Sequence, residues 1–467
     1  MPAPTKYDLA IVGSGSAAFA AAIEARRRGA SVVMIESGIV GGTCVNTGCV
    51  PSKAMLAAAE ARHIALGQHF PGVTTSAGVV DMAKLATGKD AIVDALRQEK
   101  YVEVAAHHGF SVLPGRARFV GAALEVNGRR IEATHYVIAT GATTYVPPID
   151  GLAAAGYRTP ASAMALDHVP DSLVVLGGSA SGLEMAQLFA RLGSRVTILE
   201  ARASIAPAEE PELREALTGI LADDDIDVRA GVTVARVQRR GDGVAVAVHD
   251  AGGRDEITGS TVLVATGRRP RTDSLGLETI GVDLGPRGEV VVDDELRTSN
   301  PRIFAAGDVT GHPQFVYVAA RHGAVVAANA LASDHQRVDY RALPRVTFTA
   351  PALASVGLTQ ARAEALGIDC VSRVLSLAHV PRAVVSRDTR GVAKIVANAV
   401  TGEVLGVHLV ADGAGEVILA AVYAIEAGFT VERLAASWTP YLTMGEAIKL
   451  TAQSFTRDVG SLSCCAA

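Results

Sequence analysis

The chain has 467 residues, of which 49% are hydrophobic, and a formal net charge of −5. A length of this kind suggests about three domains, and the acidic balance argues against a nucleic-acid partner. Only 5 cysteines in so long a chain exclude a disulfide scaffold, and no apolar run is long enough to span a membrane. The opening residues Met1-Pro2-Ala3-Pro4-Thr5-Lys6-Tyr7-Asp8 lack the basic region and cleavage site of a signal peptide. A cytoplasmic protein without a membrane partner is therefore expected.

The first predicted element is the strand Tyr7-Asp8-Leu9-Ala10-Ile11-Val12. It runs into Gly13-Ser14-Gly15-Ser16-Ala17-Ala18 and an Ala-rich helix to about Arg28. A second strand, Ser31 to Ile35, ends in Glu36. In this strand, turn, helix, strand, acid order, Gly13 permits the tight turn and Gly15 lets backbone approach a pyrophosphate. Ala18 takes the helix-packing place. The pyrophosphate sits on the helix N-terminus, and Glu36 is placed for a ribose hydroxyl.

Next comes Gly41-Gly42-Thr43-Cys44-Val45-Asn46-Thr47-Gly48-Cys49-Val50-Pro51-Ser52-Lys53. Two cysteines with four residues between them, flanked by glycines and by Pro-Ser-Lys, do not read as core filling. Pro51 suits the first position of a helix, which would put Cys49 just ahead of that helix. The positive end of the helix dipole favours a thiolate there.

A second dinucleotide pattern begins at the strand Ser172 to Leu176. It continues through Gly177-Gly178-Ser179-Ala180-Ser181-Gly182, a helix from Leu183 to Leu192, and the strand Arg195 to Leu199 ending in Glu200. Ser179 replaces the middle glycine and is small enough to fit. Glu200 suits NADH because a carboxylate repels a 2′-phosphate, whereas Arg202 suits NADPH; both cofactors stay open at this point.

Two matching turns follow apolar strands: Ala139-Thr140-Gly141 after Tyr136-Val137-Ile138, and Ala265-Thr266-Gly267 after Val262-Leu263-Val264. Each would close one nucleotide unit. The strand Ile303-Phe304-Ala305-Ala306 then leads to Gly307-Asp308, where Asp308 is placed for a flavin's ribityl chain. Strands at Val346–Thr349, Val392–Val396 and Val404–Leu409 and helices over Ala414–Gly428 and Met444–Arg457 make an α+β C-terminal segment. The expected fold is α/β. A discontinuous FAD domain covers 1–148 and 272–340, an NAD(P) domain covers 149–271, and an α+β dimerisation domain covers 341–467.

Together these motifs resemble the FAD-dependent pyridine nucleotide–disulfide oxidoreductases across nearly the whole chain. The Gly-Gly-Thr-Cys-x4-Cys-x2-Ser-Lys stretch is the most specific part. The resemblance implies FAD and NADPH (or NADH) as cofactors, with Gly42, Thr43 and Lys53 close to the flavin. It also implies a homodimer with shared active sites. Cys44 would be the interchange thiol and Cys49 the thiolate facing the flavin. Lys53 would pair with Glu184 on the second nucleotide helix.

Disulfide-reducing members of the glutathione or lipoamide type carry His-Pro-Thr-x-x-Glu near the C-terminus. Here the stretch is Thr439-Pro440-Tyr441-Leu442-Thr443-Met444-Gly445-Glu446. Spacing to Glu446 puts Tyr441 where the His belongs. A phenol with an unperturbed pKa near ~10 is a poor base at neutral pH. The chain ends Ser463-Cys464-Cys465-Ala466-Ala467, a vicinal pair suited to passing on a soft metal. This set, with Tyr101 as a second active-site tyrosine, is similar to the mercury(II)-reducing branch of the family. That branch implies Hg(II) as a thiol complex for substrate, held in turn by Cys464/Cys465 and Cys44/Cys49. Many of its members start with a metal-capture domain bearing Cys-x-x-Cys. This sequence starts at the flavin strand and reads as either a short form or an excised core, with small thiols or another protein expected to deliver the metal. The competing reading is a disulfide reductase for a small thiol. Cys370 is isolated, and none of the 12 histidines has metal-site spacing.

Overall fold

The computed structural model describes residues 6–67, 70–332 and 334–461. These group into two compact units. The first draws on Met1–Ala54, Ala83–Tyr145 and Gly267–Val338, the second on Met55–Met82, Val146–Thr266 and Asp339–Ala467.

The first unit is built on a sheet whose parallel strands run in the order Ser111–Pro114, Val32–Glu36, Lys6–Val12, Arg129–Ile138, Ile303–Ala305. The long strand Arg129–Ile138 also pairs, at its start, with the antiparallel Ala123–Val126, which pairs with Ala117–Val120. The central strand reads as unbroken apolar residues because both of its faces are covered. Leu9 and Ile11 point into one cluster with the helices Ser16–Arg27 and Val316–Ala332. Ala10 and Val12 point into the opposite cluster with Val33, Ile35, Ile138 and Val309. Strand alternation thus feeds two cores from one strand.

The two helices approach closely because their contact is made of small residues. A Cβ on Gly323 would lie 2.1 Å from the Ala17 carbonyl oxygen. Overpacking of a tight contact costs roughly 1–3 kcal/mol or more. The variant Gly323→Ala should therefore melt several degrees below the parent in a thermal scan. An unchanged midpoint would mean that the helices separate without cost.

The second unit contains a parallel sheet in the order Ile226–Ala230, Arg195–Glu200, Ser172–Leu176, Thr261–Val264. It also holds the meander Thr233–Arg240, Gly243–Asp250, Gly253–Gly259. A five-stranded antiparallel sheet follows: Pro344–Thr347, Ala352–Gly357, Val404–Ala411, Val392–Asn398, Cys370–Ser376. It packs on the helices Ala414–Glu426 and Glu446–Gln453 around Val407, Leu409, Ile418 and Ala447.

Several boundaries differ from the sequence expectation. The helix after the cysteine motif is Cys49–Leu66, so Cys49 opens the helix and Pro51 is its third residue, not its first. A first-turn N–H has no intrahelical partner, so a proline costs no ladder bond there. The helix of the second nucleotide pattern starts at Ala180, not Leu183. The strand expected to reach Thr349 ends at Thr347, because the Phe348 N–H is donated to the Glu184 carboxylate at 3.0 Å instead of to a neighbouring strand. The last helix is shorter at both ends, Glu446–Gln453. Its first residue is used to accept from the Leu442 N–H at 2.8 Å. No helix among the described residues is long and apolar enough to cross a membrane.

Candidate active site

The two glycine turns share one construction. Gly13 has φ +113°, and a Cβ there would fall 2.3 Å from the Ala139 carbonyl oxygen. Gly177 has φ +108°, and its Cβ would fall 2.6 Å from the Ala265 carbonyl oxygen. The Gly13 N–H is donated to Ile35 and the Ala139 N–H to Val12, at 2.8 and 2.9 Å. The Gly177 N–H is donated to Leu199 and the Ala265 N–H to Leu176, at 2.9 and 2.8 Å. In each case the glycine turn is folded directly against the Ala-Thr-Gly turn, so the two motifs of each pair belong to one structural device.

In the first unit, the helix Ser16–Arg27 begins after Gly15, without a side-chain cap and without an acid in its first turn. A Cβ on Gly42 would come 2.6 Å from the Gly15 Cα, so only glycines allow these two loops to meet. Open first-turn N–H groups at a dipole's positive end suit a pyrophosphate, and the residues present fit FAD. Ala18 is fully buried under this turn. Glu36 accepts from Ser14 Oγ and from the Gly38 N–H, both at 2.6 Å. Ser14 Oγ in turn accepts from the Gly41 N–H at 3.1 Å. The carboxylate is thus fixed from one side. Thr140 Oγ1 donates to Arg271 O at 2.6 Å, and the Arg271 N–H returns to Gly141 O. Gly267 O accepts from the Tyr145 N–H.

The cysteines sit on two short pieces of helix. Cys44 lies in Gly42–Asn46 and Cys49 opens Cys49–Leu66. The first piece is pinned by Asn46, whose Nδ2 donates to Val40 O and Gly42 O at 2.9 Å. Arg97 Nη1 then donates to Asn46 Oδ1 at 3.0 Å. The two thiols are hydrogen-bonded to each other, and Cys49, followed by burial, pushes the Cys44 thiol well above the ordinary cysteine range; Lys53 acts in the opposite direction. Cys44 is thus the sulfur held more firmly in its protonated form, and Cys49 opens the helix, where the dipole favours negative charge.

Tyr101 lies in a single π-helical turn, Gln98–Val102. Its ring packs edge-on against Phe19 at 4.8 Å. Burial raises its phenol above the usual tyrosine range, the Ser16 hydroxyl opposes that by hydrogen bonding, and the nearby cysteine pair adds to the rise. The phenol is thus within electrostatic reach of both sulfurs as a neutral donor.

Two participants are invisible as motifs, Arg268 and His322. Arg268, next to Gly267, is half-buried; its guanidinium donates to Ala142 O at 2.5 Å and reaches Thr43 Oγ1 at 3.5 Å and Asp308 at 3.8 Å. It also senses Cys49 electrostatically. Burial pushes the Asp308 carboxyl up, and Arg268 pulls it back. His322, fully buried, accepts the Gly307 N–H on Nδ1 at 3.2 Å. Its pKa is pushed down from 6.5 to about 4 by burial and then by His312. Below the unfolded value the unfolded chain takes up a proton that the native state refuses until about pH 4. The stability held above pH 6.5 is therefore lost as the pH falls through that window, at up to about 1.4 kcal/mol per pH unit. The urea midpoint of the parent should fall more steeply between those pH values than that of His322→Asn.

In the second unit, Gly182 is packed so that a Cβ would lie 1.9 Å from Gly177 O. The helix Ala180–Leu192 starts at Ser179 without a side-chain cap, leaving its first N–H groups for a phosphate. Glu200 is buried and accepts from the Gly178 N–H at 2.6 Å and the Arg202 N–H at 2.7 Å. The Arg202 side chain is exposed. Glu184 is buried and holds the Phe348 N–H. Tyr441 is half exposed in a turn whose next residue, Leu442, has φ 60° and is held by Glu446. Cys464 and Cys465 lie outside the described residues. Among the described residues no group of three or more metal-ligating side chains is assembled.

Residues 7–323 match the pyridine nucleotide-disulphide oxidoreductase family, and 343–452 match its dimerisation domain. The chain is 53% identical to the mercuric reductase of Streptomyces lividans, covering 100% of both chains. It is 45% identical to that of Staphylococcus aureus, over 98% of this chain and 84% of the other. Among solved structures, the HOCl-induced flavoprotein disulfide reductase RclA from Escherichia coli superposes with a TM-score of 0.86 at 30% identity, covering 97% of this chain and 100% of that one.

Proposed function

Because the chain belongs to the pyridine nucleotide–disulphide oxidoreductase family, we propose that it is an NADPH-dependent flavoenzyme that reduces thiolate-bound Hg(II) to Hg(0). The observation that carries this reading is the hydrogen-bonded Cys44/Cys49 pair with the Tyr101 phenol in electrostatic reach, in a chain whose Glu446 partner position bears Tyr441 in place of a histidine. The enzyme is a homodimer through its dimerisation domain. We assign residues 1–148 with 272–340 to FAD, 149–271 to the nicotinamide cofactor and 341–467 to dimerisation, and we place the protein in the cytoplasm.

Gly13, Gly15, Ala18, Glu36, Gly42, Thr43, Thr140, Gly141, Gly267 and Asp308 would hold FAD. Gly177, Gly182, Glu200 and Arg202 would hold NADPH. When bound, FAD supplies a two-electron relay from nicotinamide to sulfur and metal. The Cys44–Cys49 disulfide accepts two electrons and becomes the thiol–thiolate pair that primes the enzyme. Hg(II) bound to two thiolates exchanges first onto Cys464 and Cys465 and then onto Cys44 and Cys49. Each exchange forms one Hg–S bond as another breaks, so the ion is never released. Two electrons from a further NADPH convert Hg(II) to Hg(0), and both cysteine sulfurs leave as thiolates. Tyr101 and Tyr441 donate hydrogen bonds to those sulfurs. Lys53 would also serve FAD, and Glu184 lies on the nicotinamide-binding helix.

The test is NADPH oxidation in excess small thiol, with and without Hg(II), with volatile mercury trapped. Oxidation that needs Hg(II), with Hg(0) released in equal amount, is the expected result. Oxidation driven instead by glutathione disulfide or lipoamide would establish the disulfide-reductase reading. Replacing Cys464 and Cys465 by Ala should slow turnover of bulky mercury–dithiol complexes by roughly tenfold, about 1.4 kcal/mol of barrier. Unchanged steady-state rates would remove the tail from the mechanism.

A further inference from the structure

We infer that His322 is a positioning residue for the flavin: its Nδ1 takes the Gly307 N–H and thereby fixes the turn that presents Asp308. The inference rests on the FAD reading of the first unit. The strand Ile303–Ala305 pairs with Arg129–Ile138, and the ladder continues one residue further, with the Ala306 N–H donated to Ile138 O at 3.0 Å. At Gly307 the pattern changes. Its φ is +78°, and its N–H leaves the ladder for the imidazole at 3.2 Å. The turn Gly307–Thr310, carrying Asp308, starts there.

The donor to this bond is a backbone amide, so Nδ1 must be the acceptor and the ring proton sits on Nε2. The imidazole is fully buried, with the His312 ring edge-on at 5.5 Å. Burial and His312 keep it neutral over the working pH range, so the acceptor is always available. His322 projects from the helix Val316–Ala332, and Gly307 is wedged between that helix and the first nucleotide helix. A Cβ on Gly307 would meet Ala17 and Ala319 side chains at 3.3 Å. One side chain thus ties the acid-bearing turn to the helix packed against the pyrophosphate-facing helix. Without the acceptor, a buried amide loses its partner in a turn hemmed in by Ala17 and Ala319.

Asn and Gln separate acceptor position from polarity. The Oδ1 of Asn can occupy the place of Nδ1, while the Oε1 of Gln reaches toward the place of Nε2. FAD dissociation constants are measured by flavin fluorescence on the deflavinated full-length parent, His322→Asn and His322→Gln, alongside their melting temperatures without FAD. The expected result is Asn within about threefold of the parent and Gln weaker by about tenfold or more, as one lost hydrogen bond to a buried group implies. Equal affinity in Gln and parent, or an equal loss in both variants, overturns the inference. A parent that binds no FAD overturns the flavin reading itself.

Discussion

Cys49→Ser should abolish Hg(II)-dependent NADPH oxidation, by about a thousandfold or more, while the flavin spectrum stays that of a loaded enzyme. Cys49 is the first residue of the helix Cys49–Leu66, where the dipole and open N–H groups favour negative charge. Its neighbour Cys44 is held protonated by that same sulfur and by burial. A serine hydroxyl fits the position but neither ionises near neutral pH nor binds a soft metal. It also cannot close the disulfide. The control is Cys370→Ser, at the start of the edge strand Cys370–Ser376, which should keep activity within about twofold, as surface substitutions away from a site usually do. Retained turnover in Cys49→Ser would sink the proposed chemistry outright.

Gly13→Ala should give a protein that purifies without its yellow colour, or not at all. An alanine at φ +113° is strained by itself. Its methyl would also fall 2.3 Å from the Ala139 carbonyl oxygen, which is main chain and held by its own strand. Relief requires the central strand end and the Ala-Thr-Gly turn to part, and that gap is where both loops of the flavin site are fixed. The expected effect is a cost of roughly 3 kcal/mol or more to the first unit, read as a lowered melting point, and loss of bound flavin in the absorption spectrum. The same change at Gly177, where the clash is 2.6 Å against Ala265 O, should instead raise the NADPH KM with flavin retained. Flavin content unaffected by Gly13→Ala would show that this turn does not hold FAD.

The fold class and the family were legible in the sequence because their signals are local. A glycine that must adopt positive φ, a strand buried on both faces and a helix start lie within a few residues of one another, so linear spacing carries them. The same holds for the Cys44/Cys49 motif itself, though not for the side chains that surround it. The exact start of its helix was not legible, because Pro51 is compatible with several first-turn positions.

What the linear order could not supply was the set of partners contributed from afar. Arg97 braces Asn46 from 51 residues away, Arg268 reaches Ala142 O from 126, and His322 reaches Gly307 from 15 on a different element. An arginine or histidine on a helix or strand end has no spacing that distinguishes a solvated side chain from a buried brace. Only packing decides, by removing water from the polar group and leaving one protein partner to satisfy it. The sequence by itself determined which backbone turns and which thiols this protein has. The tertiary structure decided which distant side chains hold those turns still, and that a neutral histidine lies beneath the acid-bearing turn.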